Sequence, residues 1–296
     1  MIKLKKFTLK EKSLFEDHLF RCPHRLSAYS FIYVYIWKSF FKFQYCVIKN
    51  CFCLFAKDEY GMFLYIEPLG KINRQIIDLC FQIMDSHNRN KKFSRIENVE
   101  NTNLSIYKDF GYRAFLKSID YIYDRVSLVS LKGDYLKHKR SNVNYFLKNS
   151  SFNIVDYKNS FFRDCTQLYK DWAYRRSLKH TDTIYRDMLK QSYTVFKIAL
   201  KDFRKLDLVV KLVVIDSQVR GCTIGFPLNR HTFCVLFEIT DLAIKGLAQF
   251  LFKSFVQGVS QFKYINAMDD SGLKNIKAVK LSYKPIELLE SFNVAS

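Results

Sequence analysis

The chain is poor in glycine and proline, with 9 and 4 among its 296 residues, while Lys, Asn, Phe, Tyr and Ile are plentiful. An AT-rich coding sequence produces that bias without selection on binding. Acidic residues are also few, 28 Asp and Glu against 48 Lys and Arg, for a net charge of +20. That excess suits a polyanion, tRNA or an anionic membrane, because clustered cations gain affinity by releasing counterions. The compositional bias alone also accounts for the charge. The cysteines, at 22, 46, 51, 53, 80, 165, 222 and 234, form no CxxC pair and no zinc-ligand spacing. They read as reduced, buried thiols of a cytosolic chain. His18, His24, His87 and His231 have no partner at ligand spacing, so no metal site is expected. No Ser–His–Asp or Cys nucleophile arrangement appears either.

No apolar run reaches the roughly 20 residues of a membrane span. The longest aromatic stretch, Ala28 to Trp37, stops at Lys38, and MIKLKKF is followed by LKEKSLFEDH where a signal peptide would need its apolar core. A cytoplasmic location is expected, with peripheral attachment at the inner face of the membrane as the alternative. Hydrophobic residues at 49% and charged residues at 26% exclude a mostly disordered chain. The length suits two lobes of roughly 100 to 150 residues.

One order of elements occurs twice. CVIKNCFCLFAKDEYGMFLYIEPLG reads as strands around a turn at Lys57 to Gly61. A helix with Ile72, Ile76, Leu79 and Ile83 at helical spacing follows, then the strand KFSRIENVE and a short helix that Asn101 or Thr102 caps and Gly111 ends. YRAFLKSIDYIYD closes this part as a strand. After a connecting helix, DYLKHKRSNVNYFLKN, comes the strand SSFNIVDY and two helices, then a hairpin turning at Asp216 to Gln218. The apolar strand TFCVLFEI, the helix GLAQFLFKSFVQG, the strand FKYINA and the helix DSGLKNIKAVKLS complete the chain. Hairpin, buried strand, helix, strand, helix is the order of a GNAT lobe. The reading is a mixed α/β (α+β) chain of two tandem GNAT-like lobes, each a mixed sheet flanked by helices. Its boundaries are 1–133 for the first lobe, 134–149 for the connecting helix and 150–296 for the second lobe.

Four constellations could carry chemistry. In TDLAIKGLAQF a strand end is followed by glycine and a helix start, where free N–H groups and the helix dipole hold anions; Lys245, Gly246 and Leu247 loosely resemble a GNAT pyrophosphate loop. A glycine before a helix is more often plain backbone geometry. Glu238 ends the preceding strand, its alternation with Cys234 and Leu236 putting it on their face; in a cleft it would take a proton from an attacking hydroxyl or amine. The connecting helix carries Lys137, Arg140, Asn144 and Lys148, of which the last three share a face by i, i+4 spacing; the stripe would suit tRNA or another anion, although a solvated helix face explains it better. Arg175, Arg176, Lys179 and His180 follow Trp172 and Tyr174, a mixture compatible with stacking on nucleic acid, although core packing explains the aromatics better.

SAYSFIYVYIW, IDYIYDRVSLVSLKGDYLKHKRSNVNYF, KGLAQFLFKSF and YINAMDDSGLKNIKAVKLSYKP occur in an order that resembles proteins similar to the C-terminal domain of phosphatidylglycerol lysyltransferase. The resemblance implies a tandem GNAT fold and transfer of an aminoacyl group from tRNA to a lipid hydroxyl. Asn266, Asp270, Gly272, Lys280, Ser282, Tyr283 and Pro285 match its closing block, Glu238 its strand-ending glutamate and Gly246 its helix-opening glycine. Asp120, Tyr121, Tyr123, Asp124, Gly133, Arg140 and Asn142 match at the junction. Where the family has Arg then Glu after the asparagine this chain has Ala267 and Met268, and Ile239 replaces a Lys, so three charges are missing from one expected neighbourhood.

The expectation is a transferase moving an aminoacyl or acyl group from aminoacyl-tRNA or acyl-CoA to a hydroxyl or amine acceptor. Glu238 and Tyr283 are its catalytic candidates, and Lys245, Gly246, Leu247, Asn266, Asp270 and Lys280 its donor-binding candidates. The alternative is a weakened relative that binds nucleic acid or an anionic membrane without catalysis.

Overall fold

A computed structural model describes the whole chain except residues 1, 23, 180 and 181 and the side chain of residue 179. Of the basic and aromatic cluster, His180 and the Lys179 side chain therefore lie outside the described residues. The chain divides into two compact units. One comprises Met1–Asp120, Asp269–Gly272 and Leu288–Ser296, the other Tyr121–Met268 and Leu273–Glu287. The passage between them falls after Asp120, where the sequence reading had drawn it after Gly133, and the C-terminal residues return to the first unit.

The first unit runs β1 (Lys5–Lys6), α1 (Lys12–Arg21), α2 (Phe31–Ile36), β2 (Lys42–Ile48), β3 (Cys51–Lys57), β4 (Met62–Leu64), α3 (Arg74–His87), β5 (Ile96–Glu100), α4 (Leu104–Asp109) and the start of β6 (Arg113–Asp124). Strands β1 to β4 pair antiparallel in sequence order, while β4 and β5 pair parallel through Leu64 and Ile96. The β2–β3 hairpin turns at Lys49 and Asn50, both with positive φ (46° and 66°), a second tight turn beside the expected one at 57–61. All but the last residue of β3 is buried, as a strand covered on both faces requires. The aromatic stretch 28–37 contains α2, capped by Ser30 and buried through Phe31, Ile32, Val34 and Ile36. Asn73 caps α3. Neither Asn101 nor Thr102 caps α4; Asn103 stands at that position without a side-chain capping bond, and its Nδ2 donates to Glu67. Gly111 (φ 87°) ends the helix as expected.

The second unit contains α5 (Arg125–Ser130), α6 (Lys137–Asn149), β7 (Asn153–Asp156), α7 (Phe162–Lys179), α8 (Thr183–Lys201), β8 (Val209–Ile215), β9 (Gln218–Pro227), β10 (Thr232–Thr240), α9 (Leu247–Gln257), β11 (Tyr264–Asn266) and α10 (Lys274–Leu281). The last strand, β12 (Glu287–Ala295), pairs antiparallel with β5 of the first unit's sheet. In the second unit β7, β8, β9 and β10 pair antiparallel, β10 and β11 parallel, and β11 pairs antiparallel with the end of β6. Asp216 and Ser217, both at positive φ, make the β8–β9 turn where expected. Helices cover both faces. Phe233 of β10 meets Phe255 of α9 at 5.6 Å, and Phe237 meets Phe196 of α8 at 5.3 Å on the other side. Helix α9 buries Leu247, Phe250, Leu251, Phe252, Phe255 and Val256, each contributing about 1.5–3 kcal/mol of transfer free energy. Both units are mixed α+β lobes with mixed sheets, as the sequence indicated.

Among the described residues no helix is long and apolar enough to cross a membrane. The eight cysteines are free thiols, seven of them buried.

Candidate functional site

Phe233 and Phe237 are four residues apart, yet they face opposite sides of the sheet. The cause is a β-bulge between Val235 and Phe237, where one extra residue breaks the register with β9. Beyond the bulge the alternation is inverted, so Glu238 shares the α9 face with Phe233 rather than the face of Cys234, which plain alternation had predicted. Tyr121 and Tyr123 of β6, Ile265 of β11, and Phe252 and Phe255 of α9 make this face an apolar cluster, against which Tyr283 and Ala267 pack.

The Glu238 side chain keeps partial solvent access but has interior surroundings, and that desolvation raises its carboxyl to about 8, against the opposing pull of Lys139 and Lys280. Among the described residues no donor lies within hydrogen-bond distance of the carboxylate. Two tyrosines belong to its electrostatic neighbourhood. Burial, then the charge of Glu238 and the neighbouring Tyr123, hold the Tyr283 hydroxyl well above its ordinary range. Tyr123 is raised by burial likewise, and its hydroxyl donates to the Lys280 carbonyl at 2.9 Å. The Tyr283 ring is fixed edge-on to Phe252 at 5.1 Å, with the Lys139 ammonium 4.3 Å from its centre. Burial lowers the Lys139 amine, and Glu238 counteracts it.

Of the sequence candidates, Glu238, Tyr283 and Lys280 come together. Lys280 is committed to structure: its ammonium donates to the carbonyls of Ala267 and Met268 at 2.5 and 3.0 Å. Asn266 is fully buried and its Oδ1 accepts the Met268 N–H at 2.6 Å, shaping the exit of β11. Asp270 belongs to the first unit and closes a turn on the Gly272 N–H. Lys245 is exposed, its ammonium 4.5 Å from the centre of the Tyr145 ring, and Leu247 is a core residue.

Gly246 has φ 84°, and a Cβ there would lie 2.1 Å from the Asn142 carbonyl oxygen of α6. The close approach the glycine permits in this structure is thus to a helix. Val143 and Phe146 of α6 pack with Leu247, Phe250 and Leu251 over the first turns of α9.

On the connecting helix, Arg140 turns inward and donates to the carbonyls of Leu131 and Gly133, satisfying the end of α5, where Leu131 is left-handed. Lys137, Asn144 and Lys148 are exposed. The residue of this helix that reaches Glu238's surroundings is Lys139, which the sequence reading did not select. The signal was present: Leu136, Lys139, Val143 and Phe146 fall on one stripe, so Lys139 is a cation on a buried apolar face.

The three departures from the family pattern separate. Ala267 packs against the same apolar cluster as Tyr283, and Met268 (φ 60°) presents a carbonyl that holds Lys280. Ile239 is buried and, by alternation, faces away from Glu238. Only two of the three missing charges therefore belong to this neighbourhood.

The first unit carries a carboxylate at a corresponding place, after β4 and before its long apolar helix. Glu67 is fully buried, accepting from Tyr29 Oη (3.2 Å), Asn103 Nδ2 (2.9 Å) and Tyr107 Oη (3.2 Å). His24 Nδ1 lies 3.9 Å from it. Its hydrogen-bonding capacity is engaged, whereas that of Glu238 is not.

A conserved protein of unknown function from Bacteroides thetaiotaomicron superposes with a TM-score of 0.88 at 21% identity, covering 99% of both chains. L-PGS from Bacillus licheniformis gives 0.64 at 15% identity over 96% of this chain and 90% of that one. A tandem GNAT protein from the clavulanic acid biosynthesis pathway gives 0.51 at 8% identity over 99% and 98%. At such identities the likeness establishes the fold, a tandem GNAT. No curated protein sequence matches. The family described as "Phosphatidylglycerol lysyltransferase, C-terminal" matches residues 20–295. Since that match spans nearly the whole chain, the protein belongs to the phosphatidylglycerol lysyltransferase C-terminal domain family.

Proposed function

We propose that this chain is an aminoacyl- or acyl-transferase in which Glu238 receives the proton of the attacking acceptor. One observation carries the reading: an inward-facing carboxylate without a hydrogen-bond donor among the described residues, raised to about 8, where a group both takes and returns a proton near neutral pH. The acceptor oxygen or nitrogen bonds to the donor's carbonyl carbon while its proton passes to Glu238. Collapse of the tetrahedral intermediate breaks the bond from that carbon to the leaving oxygen or sulfur, and the Tyr283 hydroxyl supplies the leaving group's proton. Tyr283 is protonated at any physiological pH because its burial opposes the phenolate. Glu238 then returns its proton to the tyrosine through solvent.

An aminoacyl ester, such as aminoacyl-tRNA, is favoured over acyl-CoA. The likeness of residues 245–247 to a pyrophosphate loop carries less weight here, because the α6 backbone crowds Gly246. The family's name supports a lysyl group and a phosphatidylglycerol acceptor as the first pair to try. The exposed Lys137, Asn144 and Lys148 suit contact with tRNA or an anionic membrane.

The test incubates purified protein with labelled aminoacyl-tRNA or acyl-CoA and acceptors including phosphatidylglycerol vesicles. Label should reach an acceptor, and Glu238→Gln should abolish transfer while Lys190→Gln, an exposed control, retains it. Absence of both transfer and donor binding across the panel would sink the assignment. A second reading, binding without catalysis, is favoured by Ala267 lying in the apolar cluster where the family has arginine. It predicts salt-sensitive retention of tRNA or anionic vesicles without transfer.

A further inference from the structure

A groove of about 610 Å³ lies on the α7 side of the second unit, and the transfer chemistry does not use it. Helix α7 packs with α8, whose Phe196 meets Phe237 on the sheet face opposite Glu238. The volume is that of a small-ligand site, roughly 300–1,000 Å³. Trp172, Tyr174 and Arg175, the residues whose sequence suggested stacking, line its wall.

The charges in the groove are sorted. At one end Arg220 Nη1 and Arg175 Nη1 lie 3.0 and 4.0 Å from Asp241, which also accepts the Ala243 N–H at 2.9 Å. Two guanidinium groups on one carboxylate leave a positive charge over. Toward the other end α7 presents Asp164 and Asp171, neither with a cation within ion-pair distance among the described residues. Asp171 accepts only a neutral hydrogen bond, from Gln167 Nε2 at 2.8 Å. In a chain of net charge +20, bare carboxylates lining a cavity mark a place that attracts a cation. Asp171 and Arg175 are one helical turn apart, about 6 Å along the axis. That is a span which a molecule with an ammonium and a carboxylate on neighbouring atoms can bridge.

We infer that this groove binds a small zwitterion, a free amino acid or a short peptide with free termini, its ammonium at Asp171 and its carboxylate at Arg175 and Arg220. A guanidinium fork matches a carboxylate with two parallel hydrogen bonds. The half-buried Trp172 ring walls the ligand off from bulk water on one side. The inference does not depend on the transferase reading.

Trp172 supplies a local readout. The chain has two tryptophans, so Trp37→Phe leaves Trp172 alone. Its fluorescence should respond saturably to L-alanine or to L-alanyl-L-alanine, and the tighter of the two tells an amino-acid site from a peptide site. L-Alaninamide, which lacks the carboxylate, and N-acetyl-L-alanine, which lacks the ammonium, should bind at least about tenfold more weakly. Asp171→Asn and Arg175→Gln, both at exposed positions, should each weaken the zwitterion about tenfold or more with unchanged circular dichroism. No saturable response to either zwitterion up to about 10 mM, or equal binding of a blocked analogue, would overturn the inference. So would a full response in Asp171→Asn.

Discussion

Gly246→Ala distinguishes a glycine required by helix packing from one that serves a ligand. At φ 84° an alanine adopts the left-handed region at a cost of about 1–2 kcal/mol. Its Cβ would also lie 2.1 Å from Asn142 O, 2.9 Å from Asn142 C and 3.1 Å from Phe146 Cβ. The first two are helix backbone and cannot rotate aside, so α6 must move off α9, an overpacking cost of about 1–3 kcal/mol. The sum, about 2–5 kcal/mol, is a large part of the roughly 5–15 kcal/mol that holds a domain folded. Gly111→Ala is the control: its φ is 87° but nothing lies within 4 Å, so it incurs only the conformational cost. Urea unfolding followed by fluorescence measures both, with Trp172 reporting on the unit of Gly246 and Trp37 on that of Gly111. Gly246→Ala should lose at least about 1 kcal/mol more than the control. Equal losses would refute the packing argument, and an alanine variant of normal stability that fails to bind donor would restore the ligand reading.

Three further outcomes are expected. Because the folded protein raises Glu238 to about 8, the stability this group contributes at low pH declines as pH rises from the ordinary carboxylate range to that value. Urea midpoints of Glu238→Gln against pH should lack the decline, and parallel curves would contradict the burial of the charge. Lys139→Met removes a cation that lowers Glu238, so carbon-13 NMR of the labelled glutamate should show the carboxyl titrating higher than in the wild type. For Glu97, burial alone would raise the carboxyl, but Lys117 and Arg95, each with a nitrogen at 2.5 Å, hold it below its ordinary range. Its contribution is present above the ordinary carboxylate range and lost as pH falls through the lowered value. Lys117→Met should therefore cost about 1.5–3 kcal/mol at neutral pH and begin acid unfolding at a higher pH by circular dichroism.

Much of the architecture was legible because it rests on local patterns. The apolar spacing along α3 and α9 and the Asp216–Gln218 turn identify their elements directly. Two features were not. The Lys49–Asn50 turn lacks the glycine that usually announces positive φ, and the isolated ELLESFNVA carries no alternation clean enough to show that it pairs with β5. At the candidate site, position and resemblance single out Glu238 and Tyr283, but the bulge that aims Glu238 is invisible in the sequence. Its extra residue sits within a run of apolar side chains, where a shift of face leaves no mark in the sequence. Lys139 was hidden for a different reason: among the many cations of α6, only its stripe distinguishes it.

Glu67 and Glu238 hold corresponding places in two lobes of like fold and are bonded differently. In one lobe the acid is a strut, its lone pairs taken by two phenols and an amide. In the other no donor among the described residues reaches it, which is what the proposed proton transfer requires. The strut can be improved by tighter bonding, whereas every donor added around Glu238 would steady the second unit at the expense of the proposed proton transfer. The second unit should therefore tolerate stabilising changes least where it looks most in need of them.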